Sequence, residues 1–283
     1  MPELPEVETI RGGLVWVLRG RRVVALEVTG ARTARRYGSA ALQAALVGAR
    51  ILDVGRRGKH LLLPLDTGRV LVVHLRMSGQ LRYVAEPGGV PPLPHTHVVA
   101  RLEGGGELRF VDPRTFGEWY VSAALDDRGL PRELAGLGPD PLADAMTRAE
   151  LARHLGRALE GRRAAVKSVL LDQRVLAGVG NLYADEICFR ARLRPDRPGG
   201  GLRPAELRRL ADATLVTLRA AVAARGSSLA DRRYVDLDGE PGRFQAQHAV
   251  YGREGLPCPR CGGAVVRLRV AGRSAWLCPR CQR

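Results

Sequence analysis

The sequence predicts an α+β protein of two domains: a β-sandwich behind a leading helix, then a helical half that ends in a zinc hairpin. Three observations carry this prediction. Eight short apolar runs divided by turn residues fill residues 22–121; apolar positions recur at helical spacing from about residue 147; and two Cys-x-x-Cys pairs close the chain. At 283 residues there is length for about two cores.

The leading helix comes first. Val7, Ile10, Leu14, Val17 and Leu18 recur at helical spacing, although Gly12-Gly13 weakens its middle. Ahead of it stands Met1-Pro2-Glu3-Leu4-Pro5-Glu6. Removal of the initiator Met, expected when proline follows, leaves Pro2 with a free secondary amine. Such an amine is a nucleophile that needs no activated side chain. On an aldehyde-level carbon it gives an iminium ion with no N–H proton to lose, so the ion stays an electron sink. Glu3 stands beside it for proton transfer. Pro5, Glu6 and Glu8 read as helix punctuation, a first-turn proline and carboxylates at the positive end. For Pro2 and Glu3, composition does not decide between catalysis and a helix start.

The strands follow: Arg22–Val28, Arg50–Val54, His60–Leu65, Arg69–Leu75, Gln80–Val84, His97–Leu102, Glu107–Val111 and Glu118–Val121. Their number and spacing predict a β-sandwich or barrel over residues 1 to about 130. Prolines and glycines from Gly129 to Pro141 mark a linker. Helices are then expected at Thr147–Glu160, Ala164–Leu171, Tyr183–Ala191 and Pro204–Arg225. The second and third flank Gly178-Val179-Gly180-Asn181, a turn able to offer backbone N–H groups and an amide to a phosphate. A helical hairpin that merely packs explains a lone Gly-x-Gly equally well. Gly226 to Gly255 is polar and turn-rich and reads as a mobile loop.

Cys258-Pro-Arg-Cys261 and Cys278-Pro-Arg-Cys281 have the spacing of a tetrahedral zinc site. Disulfides are the alternative, but no secretory signal is visible, which favours a reducing compartment and zinc. Four protein ligands leave no open position, so the ion is expected to be structural. Cys188 sits in an apolar helical pattern and reads as core. Lys and Arg number 45 against 29 acidic residues, a net charge of +16 that points to a polyanion such as nucleic acid. No apolar run of about 18 residues exists, so no membrane span is expected.

PELPEVE, HLRMSG (74–79), DPRTFG (112–117), GVGNLYADE, HAVYGREGLPC (248–258) and the paired Cys-x-x-Cys motifs stand in one chain in this order. Together they resemble the formamidopyrimidine-DNA glycosylase family from end to end. The resemblance implies a helix-two-turn-helix domain and DNA in a basic cleft between two domains. It implies that Pro2 attacks C1′ of a damaged nucleotide, expels the base and cleaves the backbone by β,δ-elimination, with Glu3 as acid/base. Lys59 matches the lysine of the β-elimination step, though an ammonium also simply holds phosphate. Arg273 matches the arginine of δ-elimination, though a permanently charged guanidinium is physically suited to clamp phosphate. Met77, Arg114 and Phe116 match the set that fills the void when a base is flipped out; from the residues alone, Met77 and Phe116 equally suit a core. Phosphate contacts carry over to His74, His95, Arg163 and Asn181. His95-Thr96-His97 alone would suggest a metal pair, but two ligands without a third are insufficient.

The resemblance divides the chain into a catalytic sandwich (1–130), a hinge (131–146), a DNA-binding helical part with a lesion-capping loop (147–240) and a zinc finger (241–283). Gly226-Ser227-Ser228 in that loop is expected to offer N–H and hydroxyl groups to a lesion. Two departures stand out: Arg76 replaces a usual glycine beside Met77, and Arg243 lies within or just after the capping loop. The expected protein is a monomeric enzyme of the bacterial cytosol and nucleoid that removes 8-oxoguanine and formamidopyrimidines from damaged double-stranded DNA, with one structural Zn²⁺. Its rivals are an endonuclease VIII-like enzyme for oxidised pyrimidines, disfavoured by Leu4-Pro5-Glu6, and a silent DNA-binding protein, disfavoured by Pro2 and Glu3.

Overall fold

A computed structural model describes residues 2–229 and 234–283. The chain divides into two compact units, Met1–Gly136 with Arg225–Arg243, and Leu137–Ala224 with Phe244–Arg283. The first break falls inside the expected hinge. The second differs from expectation: the described residues of 225–240, read as part of the helical domain, and 241–243, read as the start of the zinc finger, fall in the first unit.

The first unit begins with α1 (Leu4–Leu18), whose Val7, Ile10, Leu14 and Leu18 are buried. Pro5 lies in its first turn, where a missing N–H costs nothing. Two four-stranded antiparallel sheets follow. One has the order β1 (Val23–Val28), β6 (Thr96–Leu102), β7 (Glu107–Val111), β5 (Gln80–Val84); the other runs β2 (Gly55–Arg57), β3 (His60–Pro64), β4 (Val70–His74), β8 (Glu118–Ser122). Leu61, Val73 and Trp119 of the second sheet share a core with Val98, Leu108 and Phe110 of the first. That is the expected sandwich. Arg50–Val54, expected as a strand, makes only isolated bridges, Arg22 with Arg50 and Ile51 with Leu65; the strand is the Gly55–Arg57 piece beyond it. A short helix, α2 (Ser39–Leu46), was not apparent in the sequence because only Leu42 and Leu46 face inward.

The second unit holds α3 (Arg148–Leu159), α4 (Val166–Leu171), α5 (Asn181–Ala191) and α6 (Pro204–Ala223), close to the four expected helices. Thr147 caps α3, accepting from the Glu150 N–H at 3.2 Å. A hairpin of β9 (Val266–Val270) and β10 (Arg273–Leu277) follows, turning through Ala271 and Gly272 at positive φ. Cys188 is fully buried. Among the described residues, no helix is long and apolar enough to cross a membrane.

The tract 226–255 is not a loose loop in its described part. Tyr234, Val235 and Leu237 are buried, Tyr234 and Leu237 in the sandwich core, and the Tyr83 N–H donates to Leu237 O at 3.3 Å. A short turn of 3₁₀ helix forms at Phe244–Gln247. Residues 230–233 of the expected capping loop, and Met1, lie outside the described residues.

Candidate catalytic end and nucleic-acid interface

Pro2 and Glu3 lie at the foot of α1, both buried, Glu3 with 4% of its surface exposed. Glu6 does more than punctuate the helix. Its Oε2 accepts the Glu3 N–H at 2.8 Å, and its Oε1 accepts the Ser227 N–H at 2.8 Å. One carboxylate thus joins the catalytic end to the root of the 225–243 segment. Gly226 has to be glycine there: its φ is +77°, and a Cβ would stand 2.7 Å from Glu6 Oε1. Ser228 Oγ donates to Tyr234 O at 2.6 Å and accepts the Gly242 N–H at 2.9 Å. Of the groups expected to face a lesion, the Ser227 N–H therefore ties this segment to α1, and the Ser228 hydroxyl braces it from within. Glu8 turns sideways to Arg11 and Arg56, at 2.7 and 2.8 Å. Burial would raise its carboxyl, but the two guanidinium groups outweigh it and hold the group below its ordinary range.

Lys59 occupies the two-residue turn between β2 and β3 and is 7% exposed. The Arg56 guanidinium secures that turn by donating to Gly58 O at 2.9 Å. Next to it, His60 faces His74 across β3 and β4, ring centroids 4.4 Å apart. Burial pushes His60 down to about 4, helped by Arg76, and burial with His60 beside it pushes His74 well below its ordinary value. The Arg76 N–H donates to His74 Nδ1 at 2.9 Å. With Nδ1 accepting, the neutral ring carries its proton on Nε2, a donor suited to a phosphate oxygen.

Met77 is half-buried, whereas Arg114 and Phe116 are exposed, the arginine carbon 4.8 Å from the Phe116 ring centroid. Phe116 is 41% exposed and is no core residue. His95 is exposed at positive φ, and His97 Nε2 lies 3.0 Å from Asp112 O. Arg76 likewise has positive φ, 56°, the backbone a glycine would favour, and its guanidinium reaches Glu118 at 3.8 Å. Arg35 and Arg36 approach the same buried Glu118 at 3.6 and 3.5 Å. Sequence reading had no reason to pick out Glu118. Its signal was only its place two residues after Phe116.

In the second unit Arg163 is exposed ahead of α4. Asn181 is the first residue of α5, after Gly178 at φ 103°. The Asn181 Oδ1 is buried without a hydrogen-bond partner. Gln173 shapes this turn, donating to Val179 O at 2.7 Å and accepting the Gly178 N–H at 2.9 Å. The first-turn N–H groups and positive end of an 11-residue helix suit an anion. Arg273 is exposed at the tip of the β9–β10 hairpin.

Two residues to which the sequence assigned no role hold that hairpin. Lys167 and Asp185, both completely buried, pair at 2.8 Å. Lys167 Nζ donates to Ser274 O at 2.6 Å, and the Trp276 N–H donates to Asp185 Oδ2 at 3.3 Å. Burial raises the Asp185 carboxyl, with Lys167 opposing. Glu186 accepts the N–H groups of Ala249, Val250 and Tyr251 at 2.9–3.0 Å, which anchors the 248–258 motif. A lysine in the apolar run Val166–Leu171 and the acidic pair that ends GVGNLYADE were the available signals.

The four cysteine sulfurs all lie within 4.8 Å of one another; Cys258 and Cys281 are 3.9 Å apart, Cys261 and Cys278 3.4 Å. Tetrahedral Zn–S bonds of about 2.3 Å place sulfurs about 3.8 Å apart. The geometry and the all-thiolate donor set fit one structural zinc ion, which these residues hold. Among the described residues, no other group of three or more His, Cys, Asp and Glu side chains comes together in this way, and His95 and His97 gain no third ligand.

Comparison with known proteins follows the same division. Residues 1–119 match the formamidopyrimidine-DNA glycosylase N-terminal domain, 137–233 the formamidopyrimidine-DNA glycosylase H2TH domain, and 255–283 the zinc finger found in FPG and IleRS. The formamidopyrimidine-DNA glycosylase of Thermus thermophilus is 46% identical over 282 residues, covering 100% of this chain and 98% of that protein. The crystal structure of the MutM (Fpg) protein from the same organism superposes with a TM-score of 0.84 at 45% identity, over 99% of this chain and 98% of that one. Lactococcus lactis Fpg bound to DNA containing an abasic site gives a TM-score of 0.88 at 31% identity, over 99% of both chains.

Proposed function

This chain belongs to the formamidopyrimidine-DNA glycosylase family, and from that premise we propose that Pro2 is its nucleophile and Glu3 its proton carrier. The protein is a base-excision repair enzyme: it removes oxidised purines from DNA and cleaves the abasic site that results. The observation that carries the residue assignment is the buried Pro2–Glu3 pair at the head of a 15-residue helix, with the Glu3 backbone tied down by Glu6. The positive helix end disfavours an ammonium there and so favours the neutral amine, although the Glu3 carboxylate opposes that shift.

In this reading the Pro2 nitrogen, freed by loss of Met1, forms a bond to C1′ as the bond from C1′ to the base breaks, and the base leaves with the proton that the amine gives up. Glu3 supplies the proton that opens the sugar at its ring oxygen, leaving a cationic iminium. That electron sink lets a proton leave C2′ and the 3′ phosphate depart, and a second elimination expels the 5′ phosphate. Water then releases Pro2 from the sugar fragment. Lys59 holds the first departing phosphate and Arg273 the second, roles that suit their permanent or near-permanent positive charge. His74, His95, Arg163 and Asn181 grip the backbone, while Met77, Arg114 and Phe116 occupy the void left by the flipped base. The zinc ion supplies no chemistry to this sequence; it orders the hairpin that carries Arg273.

The substrate is damaged double-stranded DNA, and we place the enzyme as a monomer in the bacterial cytosol at the nucleoid. Borohydride added during turnover on an 8-oxoguanine duplex should leave DNA attached to the N-terminal peptide at Pro2. Attachment at Lys59 in the unmodified enzyme, or full lyase activity with a residue retained before Pro2, would overturn the assignment. Duplexes carrying thymine glycol, run beside it, separate an oxidised-purine enzyme from one for pyrimidines.

A further inference from the structure

We infer that Asp112 is a positioning residue that locks the loop carrying Met77 to the loop carrying Arg114 and Phe116, so that both enter the duplex as one body. The inference rests on the reading above, in which these side chains fill the space of the flipped base. Asp112 is completely buried at the end of β7. Its Oδ1 accepts the Ser78 hydroxyl at 2.5 Å and the Arg114 N–H at 3.3 Å, and its Oδ2 accepts the Gly117 N–H at 2.7 Å. The backbone of the same residue is also engaged: its N–H donates to His95 O at 2.9 Å, and its carbonyl accepts the Thr115 N–H at 3.1 Å. One residue therefore joins three loops, 75–79, 93–95 and its own, 112–117.

Packing repeats the polar link. Gly79 ends the first loop and Gly117 the third, and both lie against the buried ring of Phe110. A Cβ on Gly79 would meet that ring at 2.8 Å, and one on Gly117 at 2.3 Å. Neither loop can shift toward Phe110, and neither can lift away without breaking a bond to the Asp112 carboxylate. Each of the three loops also holds a non-glycine residue in the left-handed region, Arg76 at φ 56°, His95 at 65° and Thr115 at 54°. Such backbones persist where surrounding bonds over-determine them. Above this rigid base the tips project, Met77 half-buried and Phe116 41% exposed. A wedge pressed between stacked bases transmits force only if its base does not yield.

The chemistry asks for a carboxylate. Oδ1 accepts from Ser78 and the Arg114 N–H and Oδ2 from the Gly117 N–H, whereas an amide of the same shape turns its N–H₂ group toward one of those two backbone N–H groups.

Two variants test this, Ser78→Ala, which deletes one bond, and Asp112→Asn, which keeps the shape. In the free protein, exchange of the Gly117 amide should rise roughly tenfold in both, as expected for losing a bond to a charged acceptor. With an 8-oxoguanine duplex carrying 2-aminopurine beside the lesion, the flipping phase in stopped flow should slow in both variants. Cleavage of a pre-formed abasic site by Ser78→Ala should stay at the native rate, and Ser78→Thr, which restores the hydroxyl, should recover flipping. Unchanged Gly117 exchange in Ser78→Ala overturns the link itself, whether or not Asp112→Asn folds. Raised exchange with native flipping in Ser78→Ala, while Phe116→Ala slows flipping, overturns its use in positioning. If Phe116→Ala leaves flipping unchanged, the wedge reading falls and this proposal falls with it.

Discussion

The two units hold their functional tips in opposite ways. In the first, the loops of Met77 and Phe116 rise from a continuous sandwich core, and single buried carboxylates, Glu6 and Asp112, fasten backbone N–H groups to it. In the second, the hairpin of Arg273 buries Val270, Ala275 and Leu277, and Trp276 packs against a small apolar cluster of Phe189, Val250, Cys258, Val265 and Cys278. Two of those five are metal ligands, while Lys167 and Asp185 bond the hairpin backbone and Glu186 the backbone of 249–251. Where apolar surface is scarce, a few strong bonds replace it. Loss of one bond should then be local in the first unit and general in the second.

Four experiments can break or sharpen that contrast, in falling order of expected effect. Structural zinc contributes about 10 kcal/mol or more to small modules. Cys261→Ala should therefore disorder the hairpin and weaken binding to every DNA substrate, while hydrogen exchange in β3, β4 and β7 stays native. A zinc-free protein with intact affinity would end the idea that metal stands in for a core. Next, Lys167→Met leaves Asp185 buried without its partner, a loss of about 3–5 kcal/mol. The second unit should melt at lower temperature, and Asp185→Leu added to it should recover much of the loss. Equal melting of single and double variants would show that the pair is not the anchor.

The third experiment uses pH. His60, neutral in the fold, ionises at about 4 against an ordinary value of 6.5. A folded value below the unfolded one means that the unfolded chain takes up protons first. The first unit should thus hold its full stability above about pH 6.5 and lose it progressively as pH falls toward 4. His60→Gln should flatten that decline, as followed by exchange in β3 and β4; an unchanged slope would place the acid sensitivity elsewhere. The smallest effect belongs to exposed grip. Arg163→Ala should weaken lesion and normal duplexes alike and reduce the salt slope by about one. Phe116→Ala, by contrast, should depress excision from duplex more than cleavage at a pre-formed abasic site. If the two variants give the same pattern, the separation between wedge and grip is lost.

Periodicity and spacing determined much of this protein without coordinates. Short apolar runs divided by turn residues placed seven of the eight sandwich strands, helical spacing placed α1 and the four later helices, and Cys-x-x-Cys spacing placed the zinc ligands. Those signals are local, because a strand, an amphipathic helix or a ligand pair is written within a few residues. The motifs named Pro2, Lys59, Met77, Arg114, Phe116, Asn181 and Arg273 for the same reason. Long-range partnerships left no such trace. Glu6 meets Ser227 across 221 positions, Lys167 meets the carbonyl of Ser274 across 107, and Ser78 meets Asp112 across 34. Nothing in a single carboxylate's neighbourhood in sequence says whether it will face solvent or be buried under someone else's N–H. Only the fold decided that Glu6 is a bridge as well as helix punctuation, that 225–229 and 234–243 belong with the sandwich, and that Ser227 ties this segment to α1 while Ser228 braces it from within. The physical reason is that burial is a property of the whole packed chain: it turns an ordinary polar side chain into an obligatory hydrogen-bond partner, and it does so only after distant segments have met.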